Sequence, residues 1–298
     1  MGVGVAPART VLEPLRLLVV ALRFLTRLPL PEVKFGGDDL RRASALFPLV
    51  GAVVAGIGVA LRAALEPLWG TGVATLAAVA AMIAVTGALH EDGLADTADG
   101  LWGGWDRARR LAIMRDSRIG TYGAVALIVV LGLRASMLLP LGLADFARAV
   151  VCGHVLGRAS TLLLVRLLPV AAVPAVQDQA VQDQAVEDQA VQDQAVEAAR
   201  LVEGDEPERP RLGAAVVGPL SLRGAITAVV VVMLTLLLAT GVRAAVPLAA
   251  GLLTCLLCAA LFRRRLGGVT GDTLGAANQL VDLAAIAAVT ALAHAGLT

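Results

Sequence analysis

The chain has 298 residues, 58% of them hydrophobic and only 16% charged, with a formal net charge of +1 and a mean hydropathy of +0.80. A water-soluble domain is usually nearer 45–50% apolar and about 25% charged, so a soluble globular enzyme is excluded and no nucleic-acid partner is expected. The apolar excess is Ala, Val and Leu in blocks of about 20 residues, the length that crosses roughly 30 Å of hydrocarbon, and the fold class is therefore all-α: a polytopic membrane bundle within 1–298 as one domain.

In chain order, the first apolar segment is 11–29. It carries Arg16, Arg23 and Arg27 at spacings of seven and four, which places them on one helical face. The segment reads as an amphipathic helix that lies in the interface or re-enters the membrane, with Pro29 and Pro31 ending it. No small-residue cleavage site follows it, so it is not read as a cleaved signal. Seven spans follow, at about 44–66, 71–90, 119–141, 146–168, 213–240, 245–262 and 275–296.

These spans sort the connecting segments onto two faces. Segments 30–43, 91–118, 169–212 and 263–274 carry fourteen Lys and Arg; segments 67–70, 142–145 and 241–244 carry Arg243 alone. The positive-inside rule makes the first face cytoplasmic. Within the long loop 170–211 lies the pentapeptide repeat "AVQDQAVQDQAVEDQAVQDQAVEAA". A period of five turns its valines about 140° at each step, so they form no stripe that could dock. With prolines around it, it reads as a solvated, low-complexity insertion. Residues 175–211 hold ten acids against three arginines, which conceals a basic remainder behind the small net charge.

Two cytoplasmic segments carry chemistry. In "HEDGLADTADG", residues 90–100, a continuing helix puts Asp92, Asp96 and Asp99 within roughly 60° of one another. Three carboxylates on one face repel, and a divalent cation removes the conflict. Hard oxygen ligands at this density suit Mg²⁺, or Mn²⁺ in its place, bridging protein carboxylates to a substrate phosphate. Glu91, about 100° from Asp92, is the weaker fourth ligand. The competing structural reading is a solvated helix end whose acids pair with Arg107, Arg109 and Arg110. Zinc is disfavoured, because His90-Glu91 lacks the second histidine of H-E-x-x-H.

The next segment, "RRLAIMRDSRIGTYG" at 109–123, offers Arg115 and Arg118 as phosphate-binding guanidinium groups, with Asp116 and Ser117 between them. Beside a carboxylate cluster this reads as a metal-and-arginine clamp for phosphoryl transfer. The glycine-rich loop "GGVTGDTLGA" (267–276) presents Asp272, and Asp282 lies inside the last span, where an acid is costly. His154, Arg158 and Arg166 are placed to line a polar cleft. Cys255 and Cys258 form a C-x-x-C inside an apolar span and, like Cys152, read as ordinary helix residues.

"FLTRLPLP" (24–31), "HEDGLADTADG", "RRLAIMRDSRIGTYG" and "RRLGGVTGDTLGA" (264–276) occur in that order. Together they make the chain resemble the adenosylcobinamide-GDP ribazoletransferase family, also called cobalamin synthase or cobalamin-5′-phosphate synthase, over nearly all but the repeat. The resemblance implies a transferase of substituted phosphate groups in the bacterial cytoplasmic (inner) membrane, active on the cytoplasmic side and dependent on Mg²⁺. Its expected partners are adenosylcobinamide-GDP, α-ribazole or α-ribazole 5′-phosphate, and the lipid bilayer; an oligomer is compatible with it. It joins the two substrates in the last steps of cobalamin biosynthesis and releases GMP.

By residue, the resemblance covers Asp92, Asp96 and Asp99 in the acidic motif, Asp116, Ser117 and Arg118 in the next, and Asp272 in the C-terminal one. The expected catalytic set is Asp92, Asp96, Asp99 and Asp116. Substrate is assigned to His90, Arg115, Ser117, Arg118, Asp272 and Asp282, and metal to Asp92, Asp96, Asp99 and Glu91. Where relatives often carry two glutamates, Gln279 and Asp282 stand. Two rival functions use similar residues. A CDP-alcohol phosphotransferase begins with the same D-x-x-D-G, but Trp102-Gly103-Gly104-Trp105 supplies no A-R where that motif needs it. A cation transporter would place its acids at mid-membrane on broken helices.

Overall fold

The apolar blocks do become helices. A computed structural model describes residues 8–171 and 220–297; the pentapeptide repeat and the first residues of the predicted 213–240 span lie outside them. Ten α-helices follow one another there: α1 (Ala8–Leu25), α2 (Gly37–Ala43), α3 (Phe47–Thr86), α4 (Leu89–Gly103), α5 (Arg107–Ile113), α6 (Thr121–Leu138), α7 (Leu143–Leu167), α8 (Leu222–Thr240), α9 (Ala245–Leu266) and α10 (Gly271–His294). Among the described residues the only β pairing is a single bridge, Val170 to Val269.

Five stretches are long and apolar enough to cross a membrane: Asp38–Thr86, Thr121–Leu138, Leu143–Leu167, Leu222–Leu266 and Gly271–His294. The first has 49 residues, about 70 Å of helix at 1.5 Å per residue, more than twice the hydrocarbon core. It breaks at Gly70 (φ 74°, ψ 166°), a backbone that a residue with a Cβ rarely adopts. The chain then folds back, so that Met82 packs on Gly58. The 45-residue stretch breaks likewise at Gly241 and a 3₁₀ turn over Gly241–Ala244. Each long stretch therefore holds two crossing lengths, and all seven predicted segments have helical counterparts.

One boundary differs in a way that matters. The predicted 71–90 span stops at Thr86, because Gly87 (φ 64°) and Ala88 (φ 55°) are both left-handed. Gly87 caps α3 as a left-handed C-terminal glycine commonly does. The acidic motif thus starts a helix of its own rather than extending a span.

α7 and α10 form the centre. Over their most apolar lengths, 61% of α7 and 56% of α10 is buried, against 17% for the α8–α9 stretch. The outer helices keep large apolar residues such as Ile128, Leu238 and Leu253 exposed, the surface that only a lipid solvent accommodates. Cys152, Cys255 and Cys258 are free thiols buried in this packing. α1 is amphipathic as predicted, but its arginines serve the fold. Arg16 donates to both carboxylate oxygens of Asp39 (3.0 and 2.7 Å), and Arg23 donates to the carbonyls of Leu30 and Pro31 (3.1 and 2.8 Å). They hold segment 28–39 against α1.

Candidate active site

α4 is short, yet it touches three elements that begin or end at the same face. Its first turns cross the start of α10 where Gly93 meets Gly275. A Cβ on Gly93 would stand 2.7 Å from the Asp272 carbonyl oxygen and 3.2 Å from the Gly275 Cα, so only glycine permits this approach. Farther along, Asp99 reaches the N-terminus of α6: its two carboxylate oxygens accept the backbone N–H groups of Gly120 (2.7 Å) and Gly123 (2.9 Å). The acids of α4 therefore lie between the positive ends of two helices. Beyond α4, Arg107 donates to the Leu266 carbonyl (2.6 Å) and Arg110 to that of Arg265 (3.3 Å), which closes the C-terminus of α9.

The predicted acids do not share one environment. Asp92 is exposed, Asp96 and Asp272 are partly buried and Asp99 is buried. Burial, reinforced by the charges of Asp92, Asp272 and Asp99, pushes the Asp96 carboxyl up to about 7. Asp92, Asp96 and Asp272 make no ion pair among the described residues, so the alternative in which this face is neutralised by the α5 arginines is not what the fold builds. Among those residues no three His, Cys, Asp or Glu side chains converge into a ready-made metal cage. The donor chemistry nevertheless fits a hard divalent cation: three mutually repelling carboxylates, two of them partly desolvated, with no ion pair among the described residues.

Asp99 has a second task that spacing did not show, as an acceptor for the first turn of α6. Asp99→Ala is expected to cost about 1–2 kcal/mol of stability, in the range of a lost helix cap, whereas Asp99→Asn keeps an acceptor for only one of the two N–H groups and sets its own NH2 against the other, so it recovers only part of that stability. Thermal unfolding of the two purified variants in detergent checks this; equal losses would mean the cap contributes nothing.

Glu91, predicted as a fourth metal ligand, turns into the bundle. Its Oε1 accepts from Gln279 Nε2 (3.1 Å) and lies 3.8 Å from the Arg134 guanidinium. Arg134 also donates to Gln279 Oε1 (2.6 Å) and Asp282 Oδ2 (2.5 Å). On the other side of Asp282, Arg158 donates to the His154 carbonyl (3.1 Å), and His154 Nδ1 stands 3.9 Å from Asp282 Oδ2. Two arginines and two carboxylates from four helices are thus sealed inside: Arg134 3%, Arg158 1%, Glu91 7% and Asp282 0% exposed. Asp282, assigned to substrate from sequence, belongs to this interior network. Arg166 is exposed and does not join His154 and Arg158. Arg134 escaped the sequence reading, although an arginine within "VVLGLRASML" is the signal that would have found it.

Arg115, Ser117 and Arg118 lie exposed on the turn between α5 and α6. Asp116 accepts from the Arg118 backbone N–H (3.0 Å) and from its guanidinium (2.8 Å). These contacts hold the Asp116 carboxyl at about 2, so it stays ionised and braces Arg118 rather than exchanging protons near neutrality. His90 is buried at the start of α4, where desolvation pushes its imidazole well below the ordinary range.

The chain matches the family described as Cobalamin-5-phosphate synthase over residues 17–202 and 196–290. Proteins named adenosylcobinamide-GDP ribazoletransferase are similar along almost the whole length. One from Leptothrix cholodnii is 36% identical over 274 residues, 91% of this chain and 93% of the relative. One from Shewanella woodyi is 34% identical over 280 residues, 91% and 94% respectively. One from Azorhizobium caulinodans is 38% identical over 274 residues, 89% and 91%. No solved structure matches the chain. With an acidic helix set between two helix N-termini, a neighbouring arginine turn and this coverage, the chain belongs to the cobalamin-5-phosphate synthase family of multi-pass membrane transferases.

Proposed function

We propose that the protein joins adenosylcobinamide-GDP to α-ribazole or its 5′-phosphate, releasing GMP, at the cytoplasmic side of the bacterial inner membrane. The observation that carries this reading is the face of Asp92, Asp96 and Asp272, which no ion pair among the described residues compensates, tied through Asp99 to the α6 end of the turn that carries Arg115 and Arg118, within a chain of this family. Asp92, Asp96 and Asp272 would hold Mg²⁺ or Mn²⁺. The ion supplies charge neutralisation of a pyrophosphate and of the departing phosphate.

The residues of the chain do the rest. Arg115 and Arg118 bind phosphate oxygens, with Asp116 fixing the Arg118 fork. Asp99 holds the α6 end of this turn to α4, so the arginines and the acids keep one geometry. The ribose 3′-hydroxyl oxygen of the acceptor forms a bond to the phosphorus nearer cobinamide. The bond from that phosphorus to the bridging oxygen breaks, and GMP leaves with its electron pair. The hydroxyl proton passes to a free carboxylate oxygen of Asp92, the most exposed acid of the face. Preorganised charge and positioning account for most of the rate. The basic connecting segments support a cytoplasmic placement of this face.

GMP release from adenosylcobinamide-GDP by the purified enzyme, with and without α-ribazole, tests the assignment. Release that requires both substrates and Mg²⁺ is expected. CMP release from a CDP-alcohol, or no nucleotide release from either donor, would overturn it.

A further inference from the structure

Next to the acidic face lies a cavity of about 230 Å³, bounded by the end of α1, the starts of α3, α4 and α10, and Thr161 of α7. Its walls are of two kinds. One side is apolar: Phe24, Leu25 and Phe47, with the two phenyl rings stacked at 5.7 Å between centroids and 11° between planes. The other side carries His90, Asp92 and Asp272. His90 is 94% buried as the complement of its 6% exposure. It borders this space, and its ring makes no hydrogen bond among the described residues. No His90 ring nitrogen is among the fully enclosed, unpartnered polar atoms of the described residues, so the ring is open to this space and able to pair with an occupant.

Size and polarity select the occupant. A nucleoside fills roughly 200–250 Å³, close to the volume of this cavity and below the usual range of about 300–1,000 Å³ for drug-sized ligands, whereas a corrinoid several times larger cannot enter. A guanine base could pair the amide and amino N–H groups of its edge here only with Asp92 and Asp272, the carboxylates assigned above to the cation. A benzimidazole-type base has no such edge. It presents a flat apolar ring, suited to an aromatic wall, and one ring nitrogen able to pair with an imidazole.

Resting on the function proposed above, we infer that this cavity is the acceptor subsite. The base of the acceptor nucleoside packs on the Phe24–Phe47 wall, His90 hydrogen-bonds it, and its ribose points toward Asp92 and Asp272. Phe24 and Phe47 are then specificity-determining residues for the lower base. The long side chains of Arg115 and Arg118 lie on a different element, so the donor's phosphates and the acceptor's base are recognised by separate parts of the chain.

The test measures KM for each substrate in Phe24→Leu and His90→Gln. It also measures equilibrium binding of α-ribazole alone to the same detergent-purified proteins by its fluorescence. Phe24→Leu is expected to weaken acceptor binding and raise acceptor KM about five- to tenfold, the loss of one aromatic contact, with the KM for adenosylcobinamide-GDP unchanged. It should also shrink the preference for a benzimidazole over a purine nucleoside as acceptor. His90→Gln, which keeps a hydrogen-bonding group, should affect acceptor binding less than His90→Ala. Unchanged acceptor binding in Phe24→Leu, or a rise confined to the donor KM, overturns the subsite. Failure of the wild-type enzyme to release GMP with both substrates overturns the function instead, so the two outcomes are separable. Melting temperatures near the wild-type value distinguish a lost contact from a lost fold.

Discussion

Asp96→Asn is expected to abolish GMP release, by roughly 10³-fold, while the protein still extracts and melts as a folded species. Asp96 is the acid that sees every other charge of the face: burial first, then Asp92, Asp272 and Asp99, push its carboxyl up to about 7. Removing a negative charge from such a position relieves repulsion, so the metal-free variant should be at least as stable as the wild type. Its loss of activity would then come from the loss of a ligand and of transition-state charge stabilisation, a term of this size where a preorganised group is removed. A single-turnover assay together with Mg²⁺ titration measures both effects. Near-normal turnover would remove Asp96 from the metal-holding set.

The same carboxyl sets a pH dependence. Its folded value is above the ordinary 3.8. Its contribution to stability is therefore complete below about pH 4 and is lost as pH rises through about 7, where the native protein must release the proton the unfolded chain has already lost. Metal binding runs the other way. Mg²⁺ competes with that proton, so apparent affinity should rise about tenfold between pH 6 and the plateau above 7. Adding Mg²⁺ should therefore raise the melting temperature most at the alkaline end, where the empty face is least stable.

The second large effect lies inside the bundle. Arg134 holds Asp282 and Gln279 directly, and Glu91 at 3.8 Å. Arg134→Gln leaves two buried carboxylates with less compensation, and breaking a buried pair by removing one partner costs about 3–5 kcal/mol. The expected outcome is a marked fall in thermal stability and expression. Glu91 shares α4 with Asp92 and Asp96, so the misplacement should also reach the active site. Adding Asp282→Asn to Arg134→Gln restores the charge balance and should recover part of the stability, a coupling that a double-mutant cycle reads directly. Additive losses would show that the two side chains act independently.

Much of this architecture was legible in the chain. Seven apolar lengths and the acid spacing of 92, 96 and 99 follow from periodicity and from the cost of charge in hydrocarbon. Spacing alone could not divide the acids among tasks. Asp99 points at the α6 N-terminus because Gly120 and Gly123 arrive there from outside the motif, and Glu91 turns inward because Arg134 waits 43 positions downstream. Such partners are brought together by helix packing, which leaves no local mark. The break at Gly87–Ala88 was hidden for a different reason. An apolar run that ends in "VTGAL" reads as one span until the left-handed residues are seen, since a glycine near a helix end is also an ordinary cap. Phe24 and Phe47 were equally invisible as a pair: each is an unremarkable apolar residue in its own segment.

The interior ion network also bears on how the protein is made. An arginine raises the cost of inserting a span, by about 2.5–3.5 kcal/mol at the centre and less toward an end, and Arg134 sits in the last third of an 18-residue helix with little apolar length to spare. One of its partners, Asp282, is synthesised 148 residues later. Until α10 emerges from the ribosome, Glu91 is the one partner of Arg134 among the described residues already made, and water or an insertase surface must accommodate the rest of its charge. α10 is therefore a closing element: its arrival neutralises α6 and brings Asp272 to the acids of α4 in the same event.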